Sequence, residues 1–313
     1  MTRLLYDERM SIDGVESFSP SAAKPERFAK LILSTDRYAY LHESAPVTPV
    51  TIDDLKRVHD PDYVDRVFAG REPNGFGNTD PRVPATCLWT VGSLVGAVER
   101  AATQANSYPI CSPSSGFHHA GYSDGGGFCT FNGLMVAAQL YLDKNPGHKV
   151  GIIDCDVHYG DGTADILREL PDLASQVVHH TSGKFFHEDA DRLEFFHWLH
   201  EAIEDINDQG CNVVIYQAGG DMHKDDPLGG FLDDDDMAAR DRMVFSRVKA
   251  GVAWNLAGGY RKPKGEHWPV LETHRRTWLE AWRAGRDRQR AAAPAAAPDL
   301  PAGDQRRDDD HPQ

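Results

Sequence analysis

The sequence predicts a single α/β domain built on an open, mostly parallel sheet with helices on both faces. Three observations predict it: short apolar runs rich in β-branched residues recur along the chain, stretches of helical character separate them, and several runs empty directly into glycine- and aspartate-rich segments. Strands covered on both faces read as continuous apolar runs rather than alternating ones, and parallel neighbours require long crossovers, usually helical.

In chain order the candidate strands are YPICS (108–112), KVGIIDC (149–155), QVVHH (176–180), NVVIYQA (212–218) and VAWNLA (252–257). Helices are predicted near 90–105, 131–143, 162–169, 193–208, 236–250 and 270–284. No linker or internal repeat interrupts Tyr6 to Gly285, so one domain over 1–285 is the simplest organisation of the 313-residue chain. From Arg286 the sequence turns Ala/Pro-rich and then charged, with little apolar surface to bury, and 286–313 is expected to be a disordered tail.

A net charge of -15, from 33 basic against 48 acidic residues, disfavours direct contact with nucleic acid, whose backbone wants clustered Lys and Arg. It suits a cationic substrate, although many enzymes with neutral substrates are equally acidic. No apolar run approaches the roughly eighteen residues of a membrane span. The opening MTRLLYDERM lacks the apolar stretch of a secretion signal, so a cytoplasmic location is expected. The five cysteines (Cys87, Cys111, Cys129, Cys155 and Cys211) are scattered and never form C-x-x-C, which predicts buried thiols rather than disulfides or a thiolate zinc site.

Ligands of open α/β sheets bind outside the carboxyl ends of the strands. Four predicted strands lead into SPSSGFHHA, DCDVHYGDG, AGGDMHKDDPLGG and AGGY. In the second segment Asp154, Asp156 and His158 are spaced two apart and share one side of an extended chain. Carboxylate plus imidazole suits zinc, iron or manganese, but a turn whose aspartates cap the next helix accounts for the segment equally well. Asp221, behind NVVIYQA, would complete a two-Asp, one-His set that leaves coordination free for water; alternatively it caps a loop. His118 and His119 suit proton transfer if carboxylates orient them, and Asp154 and Asp161 are available, though an isolated histidine pair is more often structural. Tyr260, behind a glycine pair, can donate to a carbonyl oxygen as it gains charge, or simply pack.

Taken together and in this order, GFHHA, GGGFCTFNG, DCDVHYGDGT, AGGDMHKDDPLGG and AGGY resemble the zinc-dependent histone deacetylase family, with its bacterial relatives and the acetylpolyamine amidohydrolases. The resemblance runs from about Tyr6 to the helix near 284 and implies the arginase/deacetylase fold. It implies Asp156, His158 and Asp221 as metal ligands, and His118 and His119 as tandem histidines paired with Asp154 and Asp161. His119 would be general base and then general acid, and Tyr260 would polarise the scissile carbonyl. Gly127 and Phe128, with Phe185 or Phe186, would wall a narrow acyl-lysine tunnel. Leu228 matches the leucine of acetyl-lysine deacetylases, where polyamine-selective relatives can carry glutamate. The implied metal is Zn2+, with Fe2+ accepted by the same ligands, and a structural K+ is implied near Asp154.

Three departures stand out. Tyr159 occupies the place of a second histidine, Ala257 stands where many members have glycine, and the glycine-rich segment after GKFFHEDADR is largely missing, which reshapes one wall of the entrance. The implied reaction is hydrolysis of an acyl-lysine amide in a peptide or protein, or of a small acetylated amine such as an acetylpolyamine. A non-catalytic acyl-lysine binding protein would be marked by loss of a ligand, tandem histidine or tyrosine, and a binuclear manganese ureohydrolase by a second Asp/His set; the sequence carries neither mark.

Overall fold

Among the described residues seven strands, not five, form the sheet, and every pairing is parallel, in the order β2-β1-β3-β7-β6-β4-β5. The computed structural model describes residues 2–34, 42–103, 108–263, 265 and 267–292. The five expected strands are β3 (Ile110–Ser112), β4 (Val150–Asp154), β5 (Val177–Thr181), β6 (Val213–Gln217) and β7 (Gly251–Asn255). The additional pair, β1 (Thr2–Leu5) and β2 (His42–Ala45), extends the sheet beyond β3; each is four residues long, and HESA has no apolar run to announce a strand.

The helices are α1 (Lys24–Leu33), α2 (Ile52–Leu55), α3 (Pro61–Phe68), α4 (Arg82–Thr103), α5 (Gly133–Lys144), α6 (Asp161–Glu169), α7 (Pro171–Ala174), α8 (Arg192–Asp208), α9 (Asp234–Arg247) and α10 (Pro269–Ala292). Several of their starts obey capping chemistry. Asp191 accepts from the backbone amides of Leu193 and Glu194 ahead of α8, and Asp233 accepts from Asp235 and Asp236 ahead of α9. The run Asp233 to Asp236 is thus a helix start, where carboxylates also favour the helix dipole. Helix α10 continues to Ala292, past the expected boundary at 285, because Arg288 donates to the carbonyls of Phe245 and Val248 at 2.7 and 2.8 Å and ties the added turns to α9. The rest of the expected tail, 293–313, lies outside the described residues.

Two cores sandwich the sheet. Alternation along β6 sends Val213 and Ile215 to the core shared with α4 and α5, and Val214 and Tyr216 to the core shared with α8, α9 and α10. Burial on both faces is what makes VVIYQ read as a continuous apolar run. The register then brings Ser112, Asn255, Gln217, Asp154 and Thr181 into one row at the carboxyl ends of β3, β7, β6, β4 and β5. The four polar segments all leave from that row. No helix among the described residues is long and apolar enough to cross a membrane.

Candidate active site

Asp154 is the last residue of β4, and its side chain organises the loop behind that strand. Its Oδ1 accepts from Gln217 Nε2 at 2.9 Å and from the Asp156 amide at 3.1 Å, and its Oδ2 faces His118 Nδ1 at 2.7 Å. Two residues on, Asp156 Oδ2 accepts from the Gly258 amide at 2.9 Å, and Asp156 Oδ1 from the His158 amide at 3.0 Å. Asp221, on the loop after β6, accepts from the Val157 amide at 3.3 Å. His158 Nδ1 lies 3.0 Å from Asp156 Oδ1 and 3.1 Å from Asp221 Oδ2.

One ligand atom from each of Asp156, His158 and Asp221 therefore lies within 4.8 Å of the others, the one such cluster among the described residues. Both aspartates are buried, whereas the His158 side chain is 32% exposed, so the cluster has one open side. Burial and the neighbouring Asp156 push Asp221 up to about 7. Burial opposes the charge on Asp156 too, but His118 and His158 outweigh it and hold this carboxyl low. Burial likewise depresses His158, and the two carboxylates more than offset it, raising the imidazole to about 11. Two buried carboxylates this close draw positive charge between them, and a divalent cation answers the same electrostatic demand. Two oxygens and an imidazole nitrogen with one side open fit a catalytic rather than a structural metal.

The tandem histidines sit against this cluster with rings 4.1 Å apart. His119 Nδ1 faces Asp161 Oδ1 at 2.7 Å, and the His119 ring lies 5.8 Å from that of His158. The His118 side chain is 3% exposed and that of His119 19%, so His119 is the one a ligand can reach. Burial lowers His118, but Asp154 and Asp156 outweigh it and lift the imidazole to about 9. For His119, burial and the charge on His118 prevail over Asp161 and move it below the ordinary histidine range. The first turn of α6 packs against the backbone that carries both histidines: the Thr163 amide donates to the His118 carbonyl at 3.0 Å, and a Cβ on Gly162 would lie 2.5 Å from the Ala120 carbonyl. Gly127, at φ 52°, passes so close that a Cβ would lie 2.4 Å from His119 Cδ2.

Tyr260 comes at the end of a strap, 256–260, that leaves β7. Its amide donates to Asp226 Oδ2 at 2.7 Å, and its ring lies 6.1 Å from His158 and 5.6 Å from Phe128. Burial, with Asp156 and Asp221 nearby, pushes the phenol far up, so it remains a proton donor. Phe128 also meets Phe76 at 5.9 Å and Phe18 at 6.5 Å. Sequence reasoning missed both, because they lie in loops without periodicity.

The other wall is less simply placed. Phe186 is buried against Phe195, Trp198 and Phe231 and belongs to the core, whereas Phe185 is 59% exposed, which leaves Phe185 as the residue free to face a ligand. Leu228 is 38% exposed, and its amide donates to Asp226, the residue that anchors Tyr260. Tyr159 is half-exposed beneath the Lys184 ammonium.

Similarity to known proteins points to one family. The histone deacetylase domain profile matches residues 21–192, which include the tandem histidines and the β4 loop. Acetylpolyamine amidohydrolase 2 of Pseudomonas aeruginosa is 25% identical over 305 residues, covering 78% of this chain and 88% of that protein. The acetylpolyamine amidohydrolase of Mycoplana ramosa is 35% identical over 213 residues, covering 58% and 60%. The crystal structure of an acetylpolyamine aminohydrolase from Burkholderia pseudomallei shares the fold, with a TM-score of 0.69 at 17% identity over 90% of this chain and 98% of that one. With more than half of its length matched by the profile, and with the parallel sheet this family's members share, the chain belongs to the histone deacetylase family.

Proposed function

We propose that the protein is a metal-dependent amidohydrolase that removes acetyl or other acyl groups from lysine side chains in peptides or proteins. The observation that carries this reading is the meeting of three independent parts on one open side: the Asp156/His158/Asp221 cluster, the His119–Asp161 pair and the Tyr260 phenol. In this reading Asp156, His158 and Asp221 hold Zn2+, with Fe2+ as the alternative, and the bound ion supplies Lewis acidity toward the carbonyl and acidifies water. Neutral His119 takes a proton from the attacking water, with Asp161 fixing the ring so that Nε2 faces the reaction. Tyr260 donates to the carbonyl oxygen as it becomes negative. Charged His118, held by Asp154, offsets negative charge beneath the site. His119 then returns its proton to the leaving amine, and the products are a carboxylate and a free amine.

Gly127, Phe128 and Phe185 line the approach in this reading, Leu228 presents an apolar edge to a lysine stem, and Phe186 supports the wall from the core. The catalytic domain spans 1–285 in this reading, with α10 continuing on to Ala292. A structural K+ beside Asp154 and a cytoplasmic location belong to the same proposal. A second reading keeps the chemistry and takes small acetylated amines as substrate; the acetylpolyamine amidohydrolases among the relatives favour it, and the missing glycine-rich segment opens the entrance to either substrate.

The test is metal content of the wild type and of Asp221→Ala, with acetate release measured from an acetyl-lysine peptide and from acetylspermidine. One metal per chain, lost together with activity in the variant, is expected, and the faster substrate decides between the two readings. A wild type that binds no metal and is activated by neither zinc nor iron would overturn the proposal in favour of a binding protein.

A further inference from the structure

Lys24, the first residue of α1, is completely buried, although an ammonium is among the costliest groups to hide from water. Its Nζ donates to the carbonyl of Ala257 at 2.6 Å, across 233 residues of sequence. That carbonyl also accepts from Ser115 Oγ at 3.2 Å. Ala257 is held at φ 53°, a left-handed conformation that favours glycine and persists in other residues only where the surroundings over-determine it. The next residue, Gly258, gives its amide to Asp156, and Tyr260 follows two further on. By resemblance, Ala257 stands where many family members have glycine, a residue that adopts this turn without strain. Burial lowers the Lys24 amine to about 8, with Asp221, Asp156 and Asp226 resisting that shift.

We propose that Lys24 is a positioning residue: by gripping the Ala257 carbonyl it holds the 256–260 strap in its left-handed turn, which aims the Gly258 amide at Asp156 and the Tyr260 phenol at the substrate carbonyl. Without the grip, Ala257 relaxes toward negative φ, and the two groups beyond it turn away together. The consequence for catalysis rests on the amidohydrolase reading; the hold on the strap does not.

The test uses Lys24→Met, which keeps length and removes the charge, with Lys24→Gln as a second variant that keeps one donor. Expected results are a kcat lowered about a hundredfold with KM within about two-fold, and faster backbone hydrogen exchange confined to 256–260. Adding Ala257→Gly to Lys24→Met restores most of the lost kcat, because glycine adopts the turn unaided. A merely structural lysine would instead lower the melting temperature and leave kcat per folded enzyme unchanged, with no rescue by glycine. That pattern, or wild-type kcat and exchange in both lysine variants, overturns the proposal. Should the wild type hydrolyse neither substrate, the functional reading fails, while the exchange measurement still decides whether Lys24 holds the strap.

Discussion

A single methyl group at position 258 tests the proposed metal cluster directly. The backbone of Gly258 lies outside the left-handed region, so alanine meets no conformational penalty there. Its Cβ, however, would lie 2.1 Å from Asp221 Oδ2 and 2.5 Å from Asp156 Oδ2, one carboxylate from each proposed ligand. Ordinary contacts begin near 3.4 Å, so the carboxylates must give way by about 1 Å in a packed interior that resists such shifts. A misplacement of that size costs roughly a hundredfold in rate, or about 2.7 kcal/mol of transition-state stabilisation. Gly258→Ala is therefore expected to lose most of its metal and about two orders of magnitude in kcat while remaining folded. Gly126→Ala is the control, since nothing lies within 4 Å of its added Cβ. The assay is metal per chain by elemental analysis, kcat on the preferred substrate and a thermal melt. One metal per chain and a kcat within about threefold of wild type in Gly258→Ala would refute the reasoning, for the site would then tolerate displaced carboxylates.

Tyr260→Phe is expected to lower kcat by roughly 10²–10³-fold with metal content and KM unchanged, as steady-state kinetics would show. Since burial and the His118 charge lower His119, this base stays neutral to lower pH than a free imidazole. The acid limb of kcat/KM should then lie below about 6.5, and Asp161→Asn, which removes a carboxylate that raises the group, should move the limb lower still in a pH–rate profile. Away from the site, burial lowers His59 to about 4, and its ring is fixed between the Gly121 carbonyl at 2.7 Å and the Asn132 amide at 2.9 Å. A histidine depressed in the folded state contributes stability that is present above about 6.5 and lost as pH falls toward 4. Denaturant titrations should show a loss of about 3 kcal/mol over that window, and His59→Gln should flatten it.

What could be read from the sequence divides along a physical line. Strands β4 and β6 announce themselves because both faces are buried, and the clusters behind them are legible because extended chain puts Asp154, Asp156 and His158 on a common side. Strands β1 and β2 are too short for periodicity to show. Helix α3 is missing from the expected set although it carries a local signal, Pro61 at its first position behind the capping Asp60; its eight residues make barely two turns of periodicity. Lys24, Gln217, Gly258 and Phe18 serve the site through contacts that only the folded chain brings together, so no local pattern marks them. Phe185 and Phe186 show the limit of a motif: adjacent aromatics share a place in a pattern, yet one is core and the other surface.

The sheet order also bears on how the protein comes to be made. The side chains of the site come from segments behind β3, β4, β6 and β7, which become neighbours only when the crossovers between them have closed. Parallel pairing of this kind is slow, because the entropy of closing each loop is lost before its contacts form. Asp156 emerges well before Asp221, and Tyr260 later still, so no early fragment of the nascent chain holds the full ligand set. In the proposed reading metal capture waits for β6 to pair with β4, since Asp156 and His158 follow one strand and Asp221 follows the other.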